Sequence, residues 1–152
     1  MEEKYYFYLQ EVDKDGKALD DAKSVEDDFG DGVRYLKAAG IDVIGKPKNI
    51  YTESYAESDK LRTYIPPVIA NEPTTITLSI GFFGDDRHKN RDAFNEYIRK
   101  GYHKFWDTFR KKSFTFFVQD TIEPTEENFF GNNPYIKMDY KLKNIKGKTE
   151  NV

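Results

Sequence analysis

Thr74-Thr75-Ile76-Thr77-Leu78-Ser79-Ile80-Gly81-Phe82 is the stretch that decides the fold. Ile76, Leu78, Ile80 and Phe82 fall on one side of it, and Thr75, Thr77 and Ser79 on the other. Successive side chains of a strand point to opposite faces, so this period of two predicts a strand with a core on one side. Gly84-Asp85-Asp86 then breaks it. The same period returns near the end of the chain. Ile136, Met138, Tyr140 and Leu142 alternate with Lys137, Asp139, Lys141 and Lys143, which predicts a last strand from Tyr135 to Ile145.

Between these two strands the period changes once. Phe94, Tyr97 and Ile98 form a 3.6-residue stripe within a helix from Asn90 to Lys100, and Gly101 stands as its C-terminal stop. Phe105-Trp106-Asp107-Thr108-Phe109, the basic turn Arg110-Lys111-Lys112 and Ser113–Gln119 then read as a hairpin. A loop containing Pro124, Gly131 and Pro134 comes after it.

The first half is less regular. Tyr5–Val12 is dense in aromatic and β-favouring residues and ends at the turn Asp13-Lys14-Asp15-Gly16. Asp20 to Gly32 is acidic and short of apolar anchors, a loop carrying a short helix or strand. Val33–Ala39 fits one helical turn or a strand, and Gly40 and Gly45 stand on either side of Ile41-Asp42-Val43-Ile44. Ile50–Ile65 places Tyr51, Tyr55, Leu61 and Tyr64 among Ser, Glu, Asp and Lys, which suggests an extended hairpin poorly buried within its own subunit. Pro66-Pro67 ends any regular pairing there. The expectation is one domain over 1–152, mainly β with one α-helix. It would form an antiparallel β-sandwich or partly open barrel with a flanking helix, a hairpin arm at 45–66 and a frayed tail at 147–152.

Composition narrows the function. The 152 residues carry 24 Lys and Arg against 27 Asp and Glu, a formal net charge of −3. That length allows a real core, and 12 Phe, 11 Tyr and one Trp are too many aromatics for a chain disordered by composition. Mild acidity argues against a nucleic-acid grip built on bulk positive charge. Zero Cys excludes disulfides, zinc-thiolate sites, iron–sulfur clusters and cysteine nucleophiles. No stretch approaches the roughly 18 apolar residues of a membrane span, and Met1-Glu2-Glu3-Lys4 opens no signal core, so synthesis in a cytoplasm is expected.

Catalytic constellations are weak. Asp86-x-His88 offers two metal ligands without a third or fourth nearby, and reads as polar residues at a helix start. His103, the other histidine, lies in a strand-like segment with no Ser in a nucleophile setting. Asp13-x-Asp15-Gly16 resembles part of a calcium loop, but Glu11 and Ala22 occupy ligand positions wrongly. Glu126-Glu127 and Asp27-Asp28 are loop neighbours without the buried-and-solvated contrast of acid–base pairs. Phe105, Trp106 and Phe109 beside Arg110-Lys111-Lys112 could stack bases, yet a core hairpin with a solvated turn explains them better. The expectation is no catalytic residue, no metal and no cofactor.

Polarity is the remaining signal. Ile50–Ile65 and the acidic Asp20–Asp31 look too polar to be held by the chain's own core. Such arms gain order by pairing with a partner's sheet edge, which points to assembly with copies or neighbours.

Thr75–Gly84, the helix Ala93–Ile98, Phe105–Lys112 and Tyr135–Ile145 together resemble a phage tail-tube or distal-tail domain over roughly residues 74–145. That family is similar in its β-sandwich, single flanking helix and long hairpin. The resemblance implies a non-enzymatic virion protein of a phage or prophage, made in the bacterial cytoplasm and placed in the tail. It implies hexameric rings stacked around a DNA channel, contacts with other tail proteins, and no membrane. Assembly would use the arm residues Tyr51, Tyr55, Leu61 and Tyr64, with Asp20, Asp21, Glu26, Asp27, Asp28 and Asp31 lining the channel so that DNA passes without specific binding. Two alternatives stay open: a head–tail joining or tail-terminator protein, and a small-ligand-binding β domain with inward aromatics around a cavity.

Overall fold

A computed structural model describes residues 5–47, 51–54, 61–64, 71–120 and 122–151, with the main chain alone for 51–54, 61–64 and 130. In chain order the elements are β1 (Phe7–Val12), β2 (Lys23–Ser24), β3 (Val33–Ala39), β4 (Tyr51–Ser54), β5 (Leu61–Tyr64), β6 (Thr74–Phe83), α1 (Arg87–Ile98), β7 (Tyr102–Asp107), β8 (Lys112–Val118), β9 (Pro124–Phe130), β10 (Asn133–Asn144) and β11 (Glu150–Asn151). Nine strands form one antiparallel sheet in the order β2-β1-β7-β8-β10-β6-β3, with β9 added on β10 and β11 on β8. β4 and β5 form a second, two-stranded sheet.

β10 joins the parts. Along one edge it pairs with β6 from Tyr135↔Phe83 to Asn144↔Thr74. Along the other it pairs first with β9, over Asn133–Met138, and then with β8, over Leu142–Asn144. A strand that changes partner midway turns a sheet through a corner, and here it curls the sheet over itself. The curl stops short of main-chain closure. Its ends meet through side chains instead: the Phe7 ring of β1 stacks on Tyr35 of β3 with centroids 3.7 Å apart. The result is the open form of the two architectures expected, mainly β with one helix.

The core lies on the concave face. Ile76, Leu78, Ile80 and Phe82 of β6 and Ile136, Met138, Tyr140 and Leu142 of β10 are all buried, as their alternation predicts. Facing them are Leu9, Phe105, Phe114 and Phe116 from β1, β7 and β8. Each such side chain contributes roughly 1.5–3 kcal/mol on leaving water. α1 lies on the same concave side. Its Phe94 meets Phe29, Phe82 and Tyr140 at ring distances of 4.9, 5.8 and 5.2 Å. Buried Asn90 donates from Nδ2 to the Asp31 carbonyl at 2.8 Å, which fastens the helix to the loop before β3. Gly30 sits under this contact at φ +109, where a Cβ would lie 2.3 Å from Asn90 Oδ1.

Several expectations need correction. α1 runs from Arg87 to Ile98 rather than from Asn90 to Lys100, while Val33–Ala39 takes the strand of its two expected forms. The segment assigned to a loop around Pro124 and Gly131 contains β9, a hairpin partner of β10. The tail expected to fray holds β11, whose Glu150 and Asn151 pair with Ser113 and Lys112; Val152 lies outside the described residues. The acidic stretch is not short of anchors, because Val25 and Phe29 are both buried in the core.

Candidate functional site

The hairpin arm is built by β4 and β5 alone. Tyr51 stands opposite Tyr64 and Ser54 opposite Leu61, and among the described residues neither strand joins the large sheet. Tyr55, the remaining arm residue, lies outside the described residues. The arm's root is tightly held. Gly45 N–H donates to the Gly147 carbonyl at 2.7 Å, and Glu72 N–H donates to the Lys46 carbonyl at 2.6 Å. Pro47 and Asn71 form an isolated bridge just beyond. Side chains have no room here: a Cβ on Gly45 or Gly147 would lie 1.8 or 2.1 Å from the Glu72 carbonyl oxygen. Gly147 also needs its φ of +67, which costs a non-glycine residue strain. Gly45–Pro47, Asn71–Glu72 and the turn at Gly147 are thus locked together by backbone contacts.

The six acidic candidates divide. Asp21, Asp27, Asp28 and Asp31 are exposed, whereas Asp20 and Glu26 are half-buried. Three of the six satisfy main-chain donors. Asp20 Oδ1 accepts from Glu11 N–H at 2.9 Å, Asp28 Oδ2 from Ser24 N–H at 2.6 Å, and Glu26 Oε1 from Tyr35 N–H at 3.1 Å. Asp31 lines an open groove of about 610 Å³ with Arg34, Phe83, Asp85, Asp86 and Asn133 beside the start of α1.

Asp20 also reaches the helix. The Tyr97 hydroxyl donates to Asp20 Oδ2 at 3.0 Å and itself accepts from Glu11 N–H at 2.9 Å. Burial and the Asp20 carboxylate push the Tyr97 hydroxyl well above its ordinary value. Beneath it, fully buried His103 meets the Tyr97 ring at 4.9 Å and stacks on Phe116 at 5.9 Å. Neither ring nitrogen has a hydrogen-bond partner of good geometry. Burial lowers His103 to about 4, against the opposing pull of Asp20 and nearby main-chain groups of Tyr97 and Gly101. His103 is therefore a neutral core residue at pH 7.

Two of the three cations of the basic turn, Arg110 and Lys112, are engaged by carboxylates. Buried Asp107 accepts from the Arg110 main-chain N–H at 2.9 Å and its guanidinium at 3.0 Å, and this hydrogen bond raises Arg110 further. Lys112 pairs with Asp42. Of the three aromatics before the turn, Phe105 is core, Trp106 lies half-buried under the Lys104 ammonium at 4.1 Å, and Phe109 is 64% exposed. A row of stacking platforms is therefore not formed. His88 is exposed and pairs with Glu127 of β9 at 3.0 Å. Among the described residues, no three His, Asp or Glu groups converge as metal ligands, and no helix is long and apolar enough to cross a membrane.

The signal that sequence reasoning missed is the strand edge of β9. All its described side chains, Pro124 to Phe129, are exposed on both faces, so no period of apolar residues announces it. No family model matches the chain, and no curated protein is similar enough to match.

Proposed function

We propose that this protein is a structural subunit of a phage tail tube, assembling with copies of itself into six-membered rings around a DNA channel in the virion tail. The observation that carries the reading is the arm. Among the described residues its two strands pair with each other and with no strand of the large sheet, while Gly45, Gly147 and Glu72 are locked together before and after it. A hairpin whose two strands pair with no other strand among the described residues is a β-addition element, able to give its main-chain groups to a neighbour. Exposed Asp21, Asp27, Asp28 and Asp31 would line the channel and repel DNA phosphate rather than grip it. A head–tail joining or terminator ring is the nearest variant of the same proposal.

The small-ligand reading has less support. Phe105 and Phe114, and Phe114 and Phe116, touch at ring distances of 5.6 Å, so inward aromatics fill the space a ligand would need. The test is light scattering after size exclusion, with electron micrographs of concentrated protein. Rings or tubes are the expected result; a monomer at every concentration contradicts the proposal.

A further inference from the structure

We infer that β9 is the edge that receives the β4–β5 hairpin of a second copy, with β5 as the incoming strand. This rests on the assembly reading above and names its receptor surface.

The large sheet has four candidate edges among the described residues, and three are unsuited. β2 and β11 are two residues long. β3 is blunted as natural edges are. A bulge interrupts it between Tyr35 and Lys37, Tyr35 N–H already donates to Glu26, and the Arg34 guanidinium covers the Val33 carbonyl at 2.9 Å. β9 remains, seven residues long and pairing only with β10.

Its backbone directions follow from its turn. Phe130 and Asn133 flank the two-residue connection Gly131-Asn132, with Gly131 at φ +62 as a tight hairpin turn requires. Such a turn closes on a hydrogen-bonded pair, and antiparallel pairs alternate thereafter. Asn128 and Glu126 therefore face β10, while Phe129 and Glu127 direct their N–H and C=O groups outward. Pro134 opposite Phe129 agrees, since it has no N–H to donate there. The outward Phe129 N–H is taken by Asn128 Oδ1 at 2.8 Å, which leaves the Glu127 groups as the open centre of the edge.

Charge selects the occupant. β9 carries no cation, and its Glu127 is already taken by His88 at 3.0 Å and Arg87 at 4.0 Å. The charge open to a neighbour is that of Glu126, which accepts from the neutral Tyr135 hydroxyl, and of Glu123 just before the strand. β5 reads Leu61-Arg62-Thr63-Tyr64, with a cation and no acid, whereas β4 carries Glu53. Antiparallel addition of β5 pairs opposite charge across the new ladder; addition of β4 would oppose like charges. Four residues span about 13 Å at 3.3 Å each, well within the length of β9.

The chain has no cysteine, so single introduced thiols report contact cleanly. Thr125→Cys protein and Thr63→Cys protein are mixed, assembled as judged by light scattering, and mildly oxidised. Covalent dimers containing one of each should exceed those from Lys141→Cys with Thr63→Cys by at least about tenfold, as held strands raise effective concentration. Assembled material without that excess overturns this inference and leaves the ring reading standing. Failure to assemble at any concentration overturns both. Glu127→Pro supplies a second readout, because it removes an N–H that β10 does not use. It should abolish assembly at unchanged melting temperature, while Glu127→Gln assembles normally. Normal assembly of Glu127→Pro contradicts the inference.

Discussion

Residues 20–31 and 51–64 are two polar stretches of similar length, and the molecule treats them in opposite ways. In the first, Asp28 N–H closes a single helical turn on the Ser24 carbonyl at 3.0 Å, which brings Val25 and Phe29 to one side. Both side chains are buried, and carboxylates of Asp20, Glu26 and Asp28 satisfy main-chain donors around them. In the second, β4 and β5 pair with each other and, among the described residues, with no other strand. Two apolar anchors at the right spacing hold an acidic segment to a core. Polarity alone does not decide whether a segment belongs to its own subunit.

The sharpest way to break this contrast is to remove an anchor. Phe29→Ala should cost about 3–5 kcal/mol in denaturant melts, as for a large aromatic deleted from a core. A loss below about 1 kcal/mol, usual for surface positions, would mean that the segment is not pinned.

Acid should loosen the same region. His103, under the Tyr97–Asp20 contact, takes its proton near 4 when folded and near 6.5 when unfolded. Between those values the unfolded chain binds more protons, so stability is full above about pH 6.5 and falls as pH drops toward 4. The loss is on the order of 3 kcal/mol from 1.36 kcal/mol per pKa unit. Asp42, Asp139 and Glu150 are held below their ordinary carboxylate range, so the stability they contribute is lost only at lower pH. His103→Phe should flatten the slope between pH 4 and 6.5; an unchanged slope would assign it to other groups.

Smaller effects belong to the arm. Gly147→Ala forces a Cβ toward the Glu72 carbonyl at positive φ and should cost about 1–3 kcal/mol through backbone strain. Deleting Glu53–Lys60 should leave the melting temperature nearly unchanged and abolish assembly. A large drop in melting temperature would show that the arm supports its own subunit.

How much of the fold was legible depends on where apolar residues sit. β6 and β10 were readable because every second residue enters the core, and α1 because Phe94 and Ile98 do. The start of α1 was not, since Arg87, His88 and Lys89 present no apolar face. β9 and β11 gave no signal: the first is exposed on both sides, and the second is held by main-chain pairing of polar residues. Val25 and Phe29 were visible in the sequence but outnumbered by acids, and their four-residue spacing was the clue available. The arm's strand pairing was legible, whereas its glycine-locked root was not, because Gly45, Glu72 and Gly147 are distant in sequence and meet only through backbone.

Hydrogen exchange on dilute, demonstrably monomeric protein tests the central claim most directly. Ordering backbone costs about 1–2 kcal/mol per residue, and on the assembly proposal a neighbour's strand supplies what the β4–β5 pairing alone does not. The account predicts only weak protection at 51–54 and 61–64 in the monomer, since an isolated two-stranded hairpin is marginal in water, with strong protection at Ile76–Phe82 and Val25 and protection of the arm rising once rings form. Arm amides as protected as those of Ile76–Phe82 in the monomer would contradict it.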